Sequence, residues 1–137
     1  RSGREPAFTV TPKLQMPASD IEEILKVKAA FNLAMSELLS AANLQPSELS
    51  ALHIAGAMGE HVSIADLETL GFLPPGIAAK VVVAGNTSLK GTEILLSAIA
   101  ARTWLAEVSD SMRTLDLASD PKFGSHYMER MRFSYVF

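Results

Sequence analysis

The chain has no cysteine. Disulfides, thiol nucleophiles, thiolate zinc sites and iron–sulfur ligation are therefore excluded from these residues. Histidine is scarce. His53, His61 and His126 are the only three, and no two stand three or four residues apart, so no metal site is expected. Charged residues make up 20% and the formal net charge is -3, which leaves no clustered basic footprint for nucleic acid. No apolar run approaches the ~20 residues that span a bilayer. The opening Arg1-Ser2-Gly3 carries no signal-peptide pattern, and residues 1–6 are read as a boundary or linker remnant. A cytoplasmic location is the expectation.

What the chain does have is apolar content. Hydrophobic residues reach 48% and the mean hydropathy is +0.21. That is high for a domain living alone, and suggests that some apolar surface belongs against a partner. A length of 137 residues suits one domain or one lobe of a larger one.

Residues Ala7 to Thr11 predict a short strand, rich in β-branched side chains. Pro12 and Pro17 then bracket a connector. Ser19-Asp20-Ile21-Glu22 has the form of a capping box. The helix behind it carries Ile21, Ile24, Leu25, Phe31, Met35, Leu38 and Leu39 at helical spacing, with Asn43 as C-cap and Pro46 beyond. Ala51–Ala55 reads as a buried strand ending at Gly56. Ser63 caps a short helix, Ile64–Leu70, closed by Gly71, and Pro74-Pro75-Gly76 is a turn. Lys80–Ala84 contains Val81-Val82-Val83, the continuous run of a buried parallel strand. One long helix is expected from Leu89 to about Val108, a strand over Arg113–Ala118, and a last helix with Asp120 at N-cap and Pro121 at N1. Phe133, Tyr135 and Phe137 alternate as in a terminal strand. Strand–helix–strand–helix order argues for a right-handed crossover and α/β class.

Two loops follow strands. Gly56-Ala57-Met58-Gly59 leaves the first, and Gly85-Asn86-Thr87-Ser88 leaves the second and feeds a helix. Ligands of open α/β sheets sit beyond the carboxyl ends of strands. Glycine there admits a ligand close to the backbone, and a helix N-terminus favours anions. Gly56, Ala57, Gly59, Gly85 and Asn86 are thus candidates for one nucleotide edge, although neither loop is a GxGxxG or Walker pattern. Lys28 interrupts the apolar stripe of the first long helix. It either snorkels its ammonium to water or points at a ligand phosphate or ribose. His53 reads as a packed or hydrogen-bonded histidine, Glu60 and His61 as solvated loop, and Trp104 as core or interface. No catalytic constellation is evident.

Four blocks then stand in a telling order: DIEEILKVKAAF, LHIAGAMGEHVSIADLETLGFLP, KVVVAGNTSLKGTEILL and DPKFGSHYMERMRF. Together they resemble the C-terminal region of reductive activators of corrinoid proteins, a family of the actin/sugar-kinase/heat-shock-protein ATPase superfamily. The sequence departs from the family at Met58, where an aromatic is common, at Glu60-His61, and at Lys90, where a small residue is common. The resemblance implies one RNase-H-like lobe, or part of it, over residues 7–137, with ATP and Mg shared with a missing lobe and adenosine against HIAGAMG. It implies an activity in which ATP use is coupled to reducing cobalt(II) corrinoid proteins to cobalt(I) for methyl transfer. The electron would come from an iron–sulfur cluster, which must lie outside this cysteine-free chain. The implied partners are a corrinoid protein of a methyltransferase system and the missing domains of the same parent, with room for a homodimer and none for nucleic acid or membrane. The superfamily's phosphate-binding aspartate motifs have no counterpart here, so no catalytic residue carries over. Two other readings are a nucleotide-dependent docking module without turnover, and a small-molecule kinase of the same superfamily.

Overall fold

The computed structural model describes residues 5–56, 59 and 61–137. It opens on a hairpin, β1 (Ala7–Thr11) against β2 (Leu14–Pro17), paired antiparallel with Phe8 opposite Met16 and Thr9 opposite Gln15. The expected strand is present, but the expected connector is its partner. Both strands are mostly exposed.

Helix α1 (Ala18–Ala41) starts without a side-chain cap. Pro17 is the N-cap residue, and the Ser19 N–H is taken by the Glu5 carboxylate at 2.6 Å. Glu22 makes no capping box; it and Glu23 pair with Lys26 at 3.1 and 2.8 Å. At the other end Ala42 is the cap and Asn43 adopts a left-handed φ of 53° just beyond it. The Leu44 N–H reaches back to the Leu39 carbonyl at 2.9 Å, which closes the helix as a left-handed cap does.

A single turn at Pro46–Glu48 leads to β3 (Leu52–Ala55). Helix α2 (Ile64–Thr69) is capped by the Ser63 hydroxyl, which accepts from the Asp66 N–H at 3.3 Å. The Glu68 carboxylate accepts from the N–H groups of Gly76 and Ala78, at 2.8 and 3.0 Å. It thereby ties α2 to the Pro74–Gly76 turn and to the short 3-10 turn Ala78–Lys80, which enters β4 (Val81–Gly85). Strands β3 and β4 pair parallel, with Leu52 opposite Val81 and Ile54 opposite Val83. Val82 and Val83 are each 45% exposed, so the buried strand expected here lies open on its face.

The expected long helix is two: α3 (Thr87–Ser97) and α4 (Ile99–Ser111), broken where Ala98 turns extended, at φ -135° and ψ 116°. The Ser97 hydroxyl donates back to the Ile94 carbonyl, and the Arg102 guanidinium takes the Leu95 carbonyl at 2.7 Å. The Arg102 side chain thus takes a carbonyl that a continuous helix would have used, while the Ile94 carbonyl keeps its helical bond from the Ala98 N–H at 3.0 Å. Residues Arg113–Ala118 form no strand; the Ser119 hydroxyl bonds the Asp116 carboxylate within a 3-10 turn at Leu117–Ser119. Helix α5 (Phe123–Glu129) begins later than expected. Asp120 accepts from the Lys122 N–H through its side chain and from the Phe123 N–H through its backbone, both at 2.9 Å, and this turn occupies the predicted N-terminus. Residues 131–137 are not a strand either. Their carbonyls serve local bonds and a lysine, as described below.

The described core is small. Its buried apolar residues are Ala29, Leu33 and Met35 of α1 with Leu73, Ile77 and Val136, and the Phe31 and Phe72 rings lie 6.3 Å apart.

Candidate functional site

The strand pair decides which loops share an edge. Because β3 and β4 run parallel, their carboxyl ends fall together, with Ala55 opposite Gly85. The Gly56 N–H donates to the Gly85 carbonyl at 2.9 Å, so the two glycines are bonded to each other. Gly56 has φ 102° and Gly85 φ 69°, a region costly for residues with a Cβ. A Cβ on Gly56 would meet nothing within 4 Å among the described residues, which leave the space above it open. Gly59 has a different role. It is buried, its N–H donates to the Gly56 carbonyl at 3.0 Å, and a Cβ there would come within 2.8 Å of Ile54 Cγ2. Its missing side chain lets Gly59 lie against Ile54 of β3. Ala57, also a candidate from sequence, lies outside the described residues, as do Met58 and Glu60.

Asn86 is the N-cap of α3, and its Oδ1 accepts from the Leu89 N–H at 3.1 Å. Its amide NH2 remains as a donor group at this edge, beside first-turn N–H groups that have no partner within the helix. The edge thus offers backbone and amide donors, open space, and the positive end of an eleven-residue helix. It could receive an anionic oxygen. Among the described residues, no group of three or more His, Cys, Asp or Glu side chains could hold a metal ion.

Lys28 is not part of this edge. It is fully buried, neither snorkelling nor open to a ligand. Its ammonium donates to the Arg130 carbonyl at 3.1 Å and to the Ser134 carbonyl. Arg130 is the C-cap of α5, so the ammonium sits at the negative end of that helix and shares the Arg130 carbonyl with the Arg132 N–H. Burial lowers the Lys28 pKa from its ordinary value, and the nearby Arg132 and Arg130 charges push the same way. Arg130 is itself buried, donating to the His126 carbonyl at 3.1 Å and to the Ser36 hydroxyl at 3.0 Å. Asn32, between Lys28 and Ser36 in sequence, is buried, with neither amide atom hydrogen-bonded among the described residues. Burial raises the Tyr135 pKa, against the opposing pull of the Arg130 charge.

This polar seam was missed as a whole, although its trace is in the sequence. Lys28, Asn32 and Ser36 recur every four residues, which places three polar side chains on one face of α1. His53 departs from its reading as a packed histidine and is exposed, as are His61 and Trp104. The cavities lined by described residues include two away from the glycine edge. One, of about 380 Å³, is lined by Gln45, Pro46, Pro74, Pro75, Lys80 and Phe137 among others. It lies beside the start of β4, whereas the glycines stand at the end of that strand.

Comparison with known proteins points one way. The family described as the C-terminal domain of RACo, the ASKHA domain, matches residues 5–135. The solved structure of a reductive activator for corrinoid, iron-sulfur protein superposes with a TM-score of 0.79, at 26% sequence identity over 88% of this chain. The chain spans 19% of that protein's length. No curated protein matches it.

Proposed function

The chain belongs to the RACo C-terminal, ASKHA-domain family, and from that premise we propose that it is a nucleotide-binding segment of an ATP-dependent activator of corrinoid proteins. In this reading one electron passes from a reduced iron–sulfur cluster to cobalt(II), yielding cobalt(I) for methyl transfer. The cluster finds no ligands here, since the chain has no cysteine. The corrinoid protein of a methyltransferase system is the proposed partner. When bound, ATP would supply the free energy for the uphill reduction.

The carrying observation is the glycine edge: Gly56 and Gly85 hydrogen-bonded to each other at the ends of parallel strands, directly before the α3 N-terminus. The open space above Gly56 fits a nucleotide approaching the backbone. Gly85 and Asn86 would line the same opening, the Asn86 amide donating to a nucleotide oxygen. Gly59 would hold the loop down, with Ala57 between the two glycines in sequence. Lys28 leaves the proposed contacts because both carbonyls it grips belong to the C-terminal segment. Mg would be carried on the nucleotide phosphates and held by protein beyond these residues.

Asn86→Asp tests the reading. Aspartate caps a helix as well as asparagine does, so α3 should keep its stability. The added negative charge should weaken MgATP binding about tenfold, equivalent to about 1.4 kcal/mol. Calorimetry on the variant and on the parent sequence separates the two effects. Unchanged MgATP affinity in a fully folded Asn86→Asp protein would remove Asn86 from the site.

A further inference from the structure

The segment that follows α5 is held from two sides. From one side Lys28 of α1 donates to its carbonyls at Arg130 and Ser134, and Arg130 reaches back to Ser36 of α1. From the other side Gly71, just past α2, lies against its backbone. A Cβ at Gly71 would stand 2.7 Å from the Ser134 carbonyl oxygen and would also overlap the Tyr135 amide nitrogen. Within the segment, the N–H groups of Arg132 and Ser134 bond the carbonyls two residues back, each at 2.8 Å. The segment is therefore a tight backbone coil, with Val136 in the core.

The chain of contacts continues past Gly71. Leu73 and Pro74 are fully buried beside it. Glu68 of α2 holds the N–H groups of Gly76 and Ala78, and Ala78 belongs to the turn that becomes β4. Strand β4 ends at Gly85, bonded to Gly56. No step in this path is an exposed side-chain pair alone; each uses a backbone group, a buried residue or a bidentate carboxylate. Rigid links of that kind pass displacement on rather than absorb it.

We propose that residues 130–137 form a coupling strap, with Lys28 and Gly71 as positioning residues, through which α1 and the glycine edge sense each other's state. The coupling itself follows from the packing. Its consequence, that nucleotide at the glycine edge tightens α1, rests on the proposed nucleotide reading. Coupling is reciprocal, so loosening α1 must also loosen the edge.

Amide hydrogen exchange on the purified chain tests the strap without nucleotide. Lys28→Met removes the ammonium and keeps an apolar stem of similar length. Protection should fall about tenfold or more, the loss of a hydrogen bond from a charged donor, in residues 130–137 and also in residues 64–73. Protection in α4, which lies off the path, should stay within about twofold. If Lys28→Met does not fold, Ser36→Ala removes the Arg130 contact, with a local bond to the Leu33 carbonyl inside α1, and should give the same pattern more weakly. Loss confined to α1 and the strap overturns the coupling, and so does a uniform loss that includes α4. Adding MgATP to the unmutated chain then examines the consequence. Protection should rise in residues 18–41 as well as at the glycine edge. If MgATP does not bind, the nucleotide reading fails, while the ligand-free exchange pattern still decides the strap.

Discussion

Two residues show how much chemistry a single position can hold. Lys28 buries a cation with no carboxylate partner among the described residues, and two backbone carbonyls compensate. Removing it by Lys28→Ala should destabilise the fold by about 2–4 kcal/mol, from the Ser134 carbonyl left without its donor and the cavity left by the stem; the Arg130 carbonyl keeps the Arg132 N–H. Urea unfolding measures this directly. The same residue has a pH signature. Its folded pKa lies below the usual 10.5, so between that lowered value and 10.5 the unfolded chain binds more protons than the native one. Stability from Lys28 is therefore smallest below the folded pKa and grows as pH rises through that window. A neutral amine still has two N–H groups for the two carbonyls. The destabilisation by Lys28→Ala should accordingly be larger near the top of the window than at pH 7, and a constant difference would argue against a lowered pKa. Gly71 and Gly76 form a matched pair, both at φ 80°. Gly76→Ala meets open space and should cost only the backbone strain, about 1–2 kcal/mol. Gly71→Ala adds an overlap with the Ser134 and Tyr135 backbone, and should cost at least about 2 kcal/mol more. Equal losses in thermal melts would mean that the strap yields easily.

At the scale of elements, local chemistry was read well where a side chain acts on its own neighbours. Ser63 caps α2 through its hydroxyl, as its pattern indicated, whereas Asn86, read only as a loop residue at the nucleotide edge, also caps α3. Ser63→Ala should cost about 1 kcal/mol and fray the first turn of α2, visible as faster exchange at Asp66. Reading failed where a distant group competed. Glu5 reaches Ser19 across fourteen residues and displaces the capping box. Arg102 takes a carbonyl from α3 and helps break the expected long helix. Apolar alternation at Phe133, Tyr135 and Phe137 pointed to a strand, but the carbonyl of Ser134 belongs to Lys28. A strand needs those carbonyls for a ladder, and none is built.

The whole molecule is open. Its accessible surface is 10121 Å², against about 6,900 Å² for a compact monomer of this mass. The excess is apolar in part: Leu96, Ile99, Trp104 and Met112 are 62% exposed or more. A groove of about 640 Å³ runs between α3 and α4, lined by Leu95, Leu96 and Leu105 among others. The two-stranded sheet leaves Val82 and Val83 uncovered. This matches the sequence reading that apolar content exceeds what one domain needs. It also fits a lobe that packs against further protein, as proposed. None of the described helices is long and apolar enough to cross a membrane. Ile99→Lys should leave unfolding free energy within about 0.5 kcal/mol, because the side chain is 81% exposed. If two copies of the chain pair through this face, the same change should reduce concentration-dependent self-association in sedimentation runs. Unaltered association would place any homodimer contact elsewhere.

The sequence by itself determined the α/β order, the two glycine loops, the cap at Ser63, the family resemblance and the exclusion of a cluster site. These depend on residue identity and on neighbours within one turn of chain. Only the tertiary structure decided what Lys28 does, why Gly71 must be glycine, and that Gly56 and Gly85 bond to each other. Those outcomes join residues up to 106 positions apart. A polar residue on an apolar stripe shows that something must compensate its burial; which group does so depends on what the fold brings to it.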